Sequence, residues 1–111
     1  MFMTVYIFRA KAGEEDAIIA LHEDWQRNQN PGVEEAYLSW ELLGNMKAPC
    51  EFIAIARFKS EELAQAMTKY LDQDGWYSRL RSLLEEEPVE TICRSEWQAC
   101  QQSEKKENAG G

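Results

Sequence analysis

Two stretches of this chain, FMTVYIFRA (2–10) and CEFIAIARF (50–58), carry bulky apolar side chains at both parities of an extended backbone. Successive side chains of a strand point to opposite faces. Phe2, Tyr6 and Phe8 therefore oppose Met3, Val5 and Ile7 in the first stretch, and Phe52, Ala54, Ala56 and Phe58 oppose Ile53 and Ile55 in the second. Strands patterned in this way need cover on both faces. A chain of 111 residues with 44% apolar content is the size of one domain with one core. Its own helices are enough to cover one face of a sheet, so the other face needs a second body.

The remaining patterns supply the order of elements. Gly13 opens a helical stretch whose first turn carries Glu14, Glu15 and Asp16, the charge sign that suits a helix N-terminus. Its apolar stripe is Ile18, Leu21, His22, Trp25 and Gln29, so the helix is expected to run to about residue 29. NPG (30–32) is a turn signal, and EAYLSWELL (35–43) alternates Ala36, Leu38, Trp40 and Leu42 with Tyr37, Ser39, Glu41 and Leu43. The six residues GNMKAP (44–49) link it to the next strand as a hairpin loop. Ser60 is placed to cap the helix EELAQAMTKYL (61–71). Asp74-Gly75 interrupts it, and WYSRLRSLLEE (76–86) restarts with Tyr77, Leu80 and Leu84 in register. Pro88 ends this piece; because Glu85, Glu86 and Glu87 oppose the helix dipole, an end at Leu84 is the alternative. VETICRSEW (89–97) reads as a last strand.

The order is βαββαβ with the second helical unit broken. That is the α+β, ferredoxin-like plan of a four-stranded antiparallel sheet with helices on one face, expected over 1–97. A polar tail, 98–111, is expected to lack order. The bare sheet face calls for a second copy of the chain, so a homodimer is expected.

Charge and cysteine usage narrow the partners. The formal charge of −8 disfavours nucleic acid and anionic membrane surfaces. No apolar run approaches the roughly 20 residues of a spanning helix, and the apolar start at 1–8 leads into Arg9 and Lys11 instead of a cleavage site. Cys50, Cys93 and Cys100 form an odd set without CxxC spacing, and one histidine cannot complete a metal site. A soluble protein of the reducing cytoplasm, without metal, is expected.

Over about residues 3–97 the chain resembles the antibiotic biosynthesis monooxygenase (ABM) domain family of dimeric α/β barrels. The resemblance rests on the order and spacing of FRAKAGEEDAIIALHEDW, EEAYLSWELL, FIAIARFKSEELAQAM and WYSRLRSLLEEEP. It implies two sheets packed face to face and a ligand cavity in each subunit between helices and sheet. Relatives include oxygenases that oxidise phenolic or hydroquinone-type substrates without metal or flavin, and others that degrade haem. The haem-degrading branch uses an Asn, a Trp and a His at places that here hold Tyr6, Met67 and Tyr77. Haem degradation is therefore disfavoured, and no cofactor is expected.

His22 is the candidate base, since imidazole titrates near neutrality and a phenolic proton must leave before the ring donates an electron to dioxygen. The alternative is a half-buried histidine bonded to the backbone, Glu23 or Gln26. Tyr6 and Tyr77 are the candidate orienters of a substrate oxygen. Trp25, Trp76, Met67 and Arg57 are the candidate substrate contacts, the indoles as flat walls. Each aromatic also has a packing explanation, and Trp40 is accounted for by a partner sheet alone. Arg57, Arg79 and Arg81 have surface acids to pair with. The runs Glu14–Asp16 and Glu85–Glu87 lie at helix ends, not across a cleft as glycosidase chemistry requires. Cys50 and Cys93 lack the His partner of a thiol nucleophile, and no glycine-rich phosphate loop is present. The resulting expectation is a cofactor-independent monooxygenase acting on a small aromatic, phenolic or quinol-like substrate; the alternative is a non-catalytic dimeric module that binds a small apolar ligand.

Overall fold

The computed structural model of the chain describes residues 1–28 and 33–100. The expected turn at 30–32, Gln29 and the tail from 101 onward lie outside the described residues. The four strands are β1 (Phe2–Arg9), β2 (Ser39–Asn45), β3 (Ala48–Phe58) and β4 (Val89–Arg94). They form one antiparallel sheet in the order β2-β3-β1-β4. Three helices, α1 (Glu15–Asn28), α2 (Glu61–Asp74) and α3 (Trp76–Ser82), complete the expected α+β, ferredoxin-like order.

Parity decides which strand residues reach the core. Thr4, Tyr6 and Phe8 of β1 and Phe52, Ala54, Ala56 and Phe58 of β3 are buried, and the cross-strand pair Phe8 and Phe52 stacks at 5.8 Å. Ile18 of α1, Ala64, Met67 and Leu71 of α2, and Trp76 and Leu80 of α3 close the same core. The opposite parity faces outward: within the single chain Ile7 is 47% exposed and Val89 62%. The expectation of two covered faces is thus met on the helix side only, because one chain has helices for one face.

Local chemistry sets the element ends. Ser60 caps α2 as expected, its Oγ accepting the Leu63 N–H at 3.2 Å. The helix stops at Gly75, whose φ of 83° lies in the left-handed region that favours glycine. β2 starts at Ser39, later than expected, after a 3-10 turn over Val33–Glu35. Its hairpin is tighter than the six-residue loop expected: Asn45 pairs with Ala48 across Met46 and Lys47, with a register shift at Gly44/Asn45. Asn45 Oδ1 accepts the Lys47 N–H at 2.9 Å, which lets a side chain close the turn. Helix α3 ends before Leu84, since Leu83 and Glu85 give their backbone groups to the end of β1: Lys11 N donates to Leu83 O at 2.9 Å and Glu85 N to Arg9 O at 3.0 Å. The last strand ends at Arg94, short of Trp97, which is 82% exposed.

Candidate functional site

Between α2, α3 and the β1–β4 half of the sheet lies a cavity of about 320 Å³, within the range of small-molecule sites. Its inner wall is Tyr6, Leu71 and Trp76, and its polar groups are Thr68, Tyr77 and Glu90, with Gln65, Lys69 and Asp72 at the rim. Each reaches the cavity for a local reason. Tyr6 has the core parity of β1, and the β1–β4 register sets Glu90 directly opposite it. The turn at Gly75 starts α3 so that Trp76 buries and Tyr77 faces the cavity.

The polar groups of this cavity are linked. Thr68 Oγ1 lies 3.1 Å from Glu90 Oε2 and 3.2 Å from the Ala64 carbonyl, so its single proton serves one acceptor at a time. Burial pushes the Tyr6 phenol up to about 12; a hydrogen bond from Thr68 works against this, and the charge and hydrogen bond of Glu90 add to it. Tyr77 donates to Glu87 Oε2 at 2.7 Å. Its phenol is also pushed up to about 12, by burial first and then by that bond. Both tyrosines are held as neutral phenols, suited to donating a proton in a hydrogen bond.

His22 lies elsewhere, against a second, smaller cavity of about 80 Å³ walled by His22, Trp25, Gln26, Trp40, Leu42 and Trp76. Its Nδ1 is 2.8 Å from the Ile18 carbonyl. A carbonyl only accepts, so Nδ1 carries the proton and Nε2 keeps a lone pair. Burial lowers the pKa of His22, the Ile18 bond opposing. The imidazole meets Trp76 edge-on at 5.0 Å, Trp76 meets Trp40 at 6.1 Å, and Trp40 meets Trp25 at 4.9 Å. His22 Nε2 and the Nε1 atoms of Trp25, Trp40 and Trp76 are buried without a hydrogen-bond partner. An unpaired buried polar group costs about 1–3 kcal/mol, and a domain is stable by only ~5–15 kcal/mol in all.

The seven residues expected from sequence thus divide. Tyr6 and Tyr77 meet in the larger cavity, His22 and Trp25 in the smaller, and Trp76 is the wall between them. Met67 is not at either: it is 4% exposed and packed into the core, since it shares its face of α2 with Ala64 and Leu71. Arg57 is on the other side of the sheet, because its parity is opposite to Ala56 and Phe58; there it lies 3.4 Å from Ser39 Oγ and 3.8 Å from Glu41. Sequence reasoning missed Thr68 and Glu90. Strand parity carries a signal for Glu90 once β4 is known to pair with β1; nothing local marks Thr68.

Among the described residues no cluster of three or more His, Cys, Asp or Glu is arranged to hold a metal ion. No helix of the described residues is long and apolar enough to cross a membrane.

By sequence, no family model and no curated protein matches the chain. Its fold matches solved structures closely. A crystal structure of an antibiotic biosynthesis monooxygenase aligns at 12% identity with a TM-score of 0.68, covering 86% of this chain and 98% of that one. Rv0793 of Mycobacterium tuberculosis aligns at 14% identity and a TM-score of 0.72, covering 89% and 98%. A variant of SnoaB, a cofactor-independent oxygenase of Streptomyces nogalater, aligns at 15% identity and 0.66, covering 87% and 94%. In its architecture this chain therefore has the ferredoxin-like fold of the antibiotic biosynthesis monooxygenase structures, in agreement with the resemblance of its sequence.

Proposed function

We propose that this protein is a monooxygenase of the ABM type, oxidising a small phenolic or quinol-like aromatic with dioxygen and without a bound cofactor. The observation that carries the proposal is the cavity of about 320 Å³ in which an indole wall meets two neutral phenols, a hydroxyl and a carboxylate. In this reading the substrate ring lies against Trp76, Tyr6 and Tyr77 donate hydrogen bonds to its oxygens, and Glu90 accepts the proton of its hydroxyl. Glu90 takes this part ahead of His22 because a base must first reach the proton and only then have a suitable pKa. Unlike the proton-first order expected for an imidazole base, proton and electron leave together in this reading: an aromatic alcohol becomes far more acidic as its electron passes to dioxygen, so a carboxylate is a sufficient acceptor. His22 and Trp25 stand behind Trp76, outside this cavity, and take no part in the proton transfer of this reading.

The protein is also proposed to act as a homodimer through the open face of the sheet, where Val5, Ile7, Ile53 and Ile55 lie together by the β1–β3 register. Oxygen uptake by metal-free protein with a series of simple hydroquinones tests the activity. Turnover is expected, reduced on the order of a hundredfold in Glu90→Gln, the usual scale of a lost proton acceptor. His22→Ala, assayed beside it, is expected to turn over like the wild type, since Trp76 screens His22 from the substrate. A binding module is the second reading, favoured by the engagement of the Tyr77 hydroxyl with Glu87. It gains if no hydroquinone is consumed while small aromatics displace a fluorescent apolar probe.

A further inference from the structure

One line of aromatic rings leads away from the larger cavity. Trp76, the inner wall of that cavity, meets Trp40 at 6.1 Å between ring centres, and Trp40 meets Tyr37 at 6.2 Å. Trp25 lies against both, 4.9 Å from Trp40 and 5.6 Å from Tyr37. All four separations fall within the ~4.5–7 Å of rings in contact. Exposure rises along the line: Trp76 belongs to the core, whereas Trp40, Trp25 and Tyr37 are half-buried. We infer that these rings form a relay for an electron hole, which carries one oxidising equivalent from the wall of the aromatic site out to Tyr37.

The protons decide the direction. An indole that loses an electron becomes a radical cation, a strong oxidant; if its N–H proton then leaves, the neutral radical is a weaker one and the hole is trapped. The Nε1 atoms of Trp25, Trp40 and Trp76 are enclosed without an acceptor, so no group is placed to take that proton. His22 meets Trp76 edge-on at 5.0 Å, but its Nε2 is itself without a partner and so is not bonded to the Trp76 N–H. The Tyr37 hydroxyl is not among the enclosed atoms. It can give its proton to water as the electron leaves, and a phenol that does so is easier to oxidise than an indole that keeps its proton. Among the described residues the ring contacts of Trp76 are with His22 and Trp40, not with the phenols of the cavity. The oxidant is an alkoxyl radical, formed when an organic peroxide in the cavity breaks its O–O bond homolytically. It takes an electron from Trp76 and a proton from solvent and becomes an alcohol. Trp40 refills Trp76, and Tyr37 refills Trp40 while releasing its hydroxyl proton. In sum, one alkoxyl radical and one phenol become one alcohol and one phenoxyl radical, and a thiol in solution returns a hydrogen atom to Tyr37. The relay stands on the ring geometry; its use in discharging a damaging radical rests on the oxygen chemistry proposed above.

Laser flash photolysis tests the relay. The parent protein is Trp97→Phe, which removes the one tryptophan outside the line, 82% exposed. The flash is set at the red edge of tryptophan absorption, where tyrosine is transparent; dioxygen captures the ejected electrons, and transient absorption follows the radicals. Tryptophyl radical is expected to form first and then to pass in full to tyrosyl radical, at a rate independent of protein concentration. Tyr37→Phe, which loses only a hydroxyl, should abolish the tyrosyl signal and leave the tryptophyl radical in its cation form. Trp40→Phe should leave the Trp76 share of the tryptophyl radical unconverted, since a phenyl ring is too hard to oxidise to carry the hole. Circular dichroism checks that this variant is folded; if it is not, the parent and Tyr37→Phe decide. Tyrosyl growth in Tyr37→Phe equal to that of the parent, tryptophyl radical persisting beside tyrosyl in the parent, or complete conversion in Trp40→Phe would each overturn the relay. Because the flash needs no substrate, its result is independent of whether the protein oxidises any aromatic.

Discussion

At the scale of single residues, burial acts on imidazole and phenol in opposite directions, and both become measurable. In His22 burial lowers the folded-state pKa, so the unfolded chain binds the proton more tightly. Its contribution to stability is present above the unfolded value of about 6.5 and is lost as pH falls below it. Denaturant midpoints measured across mild acid should therefore fall more steeply for the wild type than for His22→Gln; equal slopes would contradict the enclosed imidazole. For Tyr6 the folded pKa of about 12 is raised above the ordinary 10.0. Its contribution is complete below about 10 and is lost as pH rises through about 12. Absorbance titration of the phenolate band should show Tyr6 and Tyr77 ionising late, and Tyr6→Phe should remove one late step. Glu87 moves the other way: the Tyr77 hydroxyl and then Arg81 hold its carboxyl below the usual range.

Among the elements, the joint between α2 and α3 matters most to the site. Gly75 ends one helix and starts the other in a single left-handed residue, its N–H bonded to the Asp72 carbonyl at 3.3 Å. A Cβ at this position would meet nothing closer than Arg79 Nη1 at 3.7 Å, so the cost of Gly75→Ala is torsional alone, roughly 1–2 kcal/mol. That should lower the melting temperature by about 4–8 °C per kcal/mol for a domain of this size. If the backbone relaxes by turning α3, Trp76 and Tyr77 move with it, and aromatic binding to the larger cavity should weaken along with stability. Ser60→Ala removes only the cap at the far end of α2 and is expected to cost about 1 kcal/mol while leaving aromatic binding unchanged. The pair thus separates a loss of stability from a loss of site geometry, with thermal melts and probe titrations as the two measurements.

On the scale of the whole molecule, the unresolved demand of the sheet is its outer face. Ile7, Leu43 and Val89 are 47%, 37% and 62% exposed, and apolar area left in water forgoes about 25 cal/mol per Å². A face-to-face dimer recovers that area, and a stable homodimer commonly buries more than about 2,000 Å² in total. Light scattering on the purified protein should give twice the chain mass. Ile55→Lys, which puts a charge in the middle of that face between β1 and β2, should give the monomer with its helix content retained. A wild-type protein that scatters as a single chain would remove the dimer from the proposal.

The division between sequence and tertiary structure runs along the range of the interactions. Alternation by two and stripes spaced by three and four are local, and they were enough to read the βαββαβ order, the Ser60 cap, the break at Gly75 and the face that Tyr6 shares with Phe8. The same alternation puts Arg57 on the face opposite Phe58, which the fold makes the outer one, against its expected role. Which strands become neighbours depends on contacts between residues far apart in the chain, and no local pattern contains it. Only the pairing of β4 with β1 sets Glu90 opposite Tyr6. Only the packing of α3 under α1 makes Trp76 a partition that separates His22 from the tyrosines. The sequence by itself therefore determined the elements and which side chains of a strand share a face; the tertiary structure decided which face meets the helices, where it sets Trp40 against Trp25 and Trp76 and not against the partner sheet expected for it, and which side chains share a cavity, because a cavity is made by surfaces that meet only after the chain has folded.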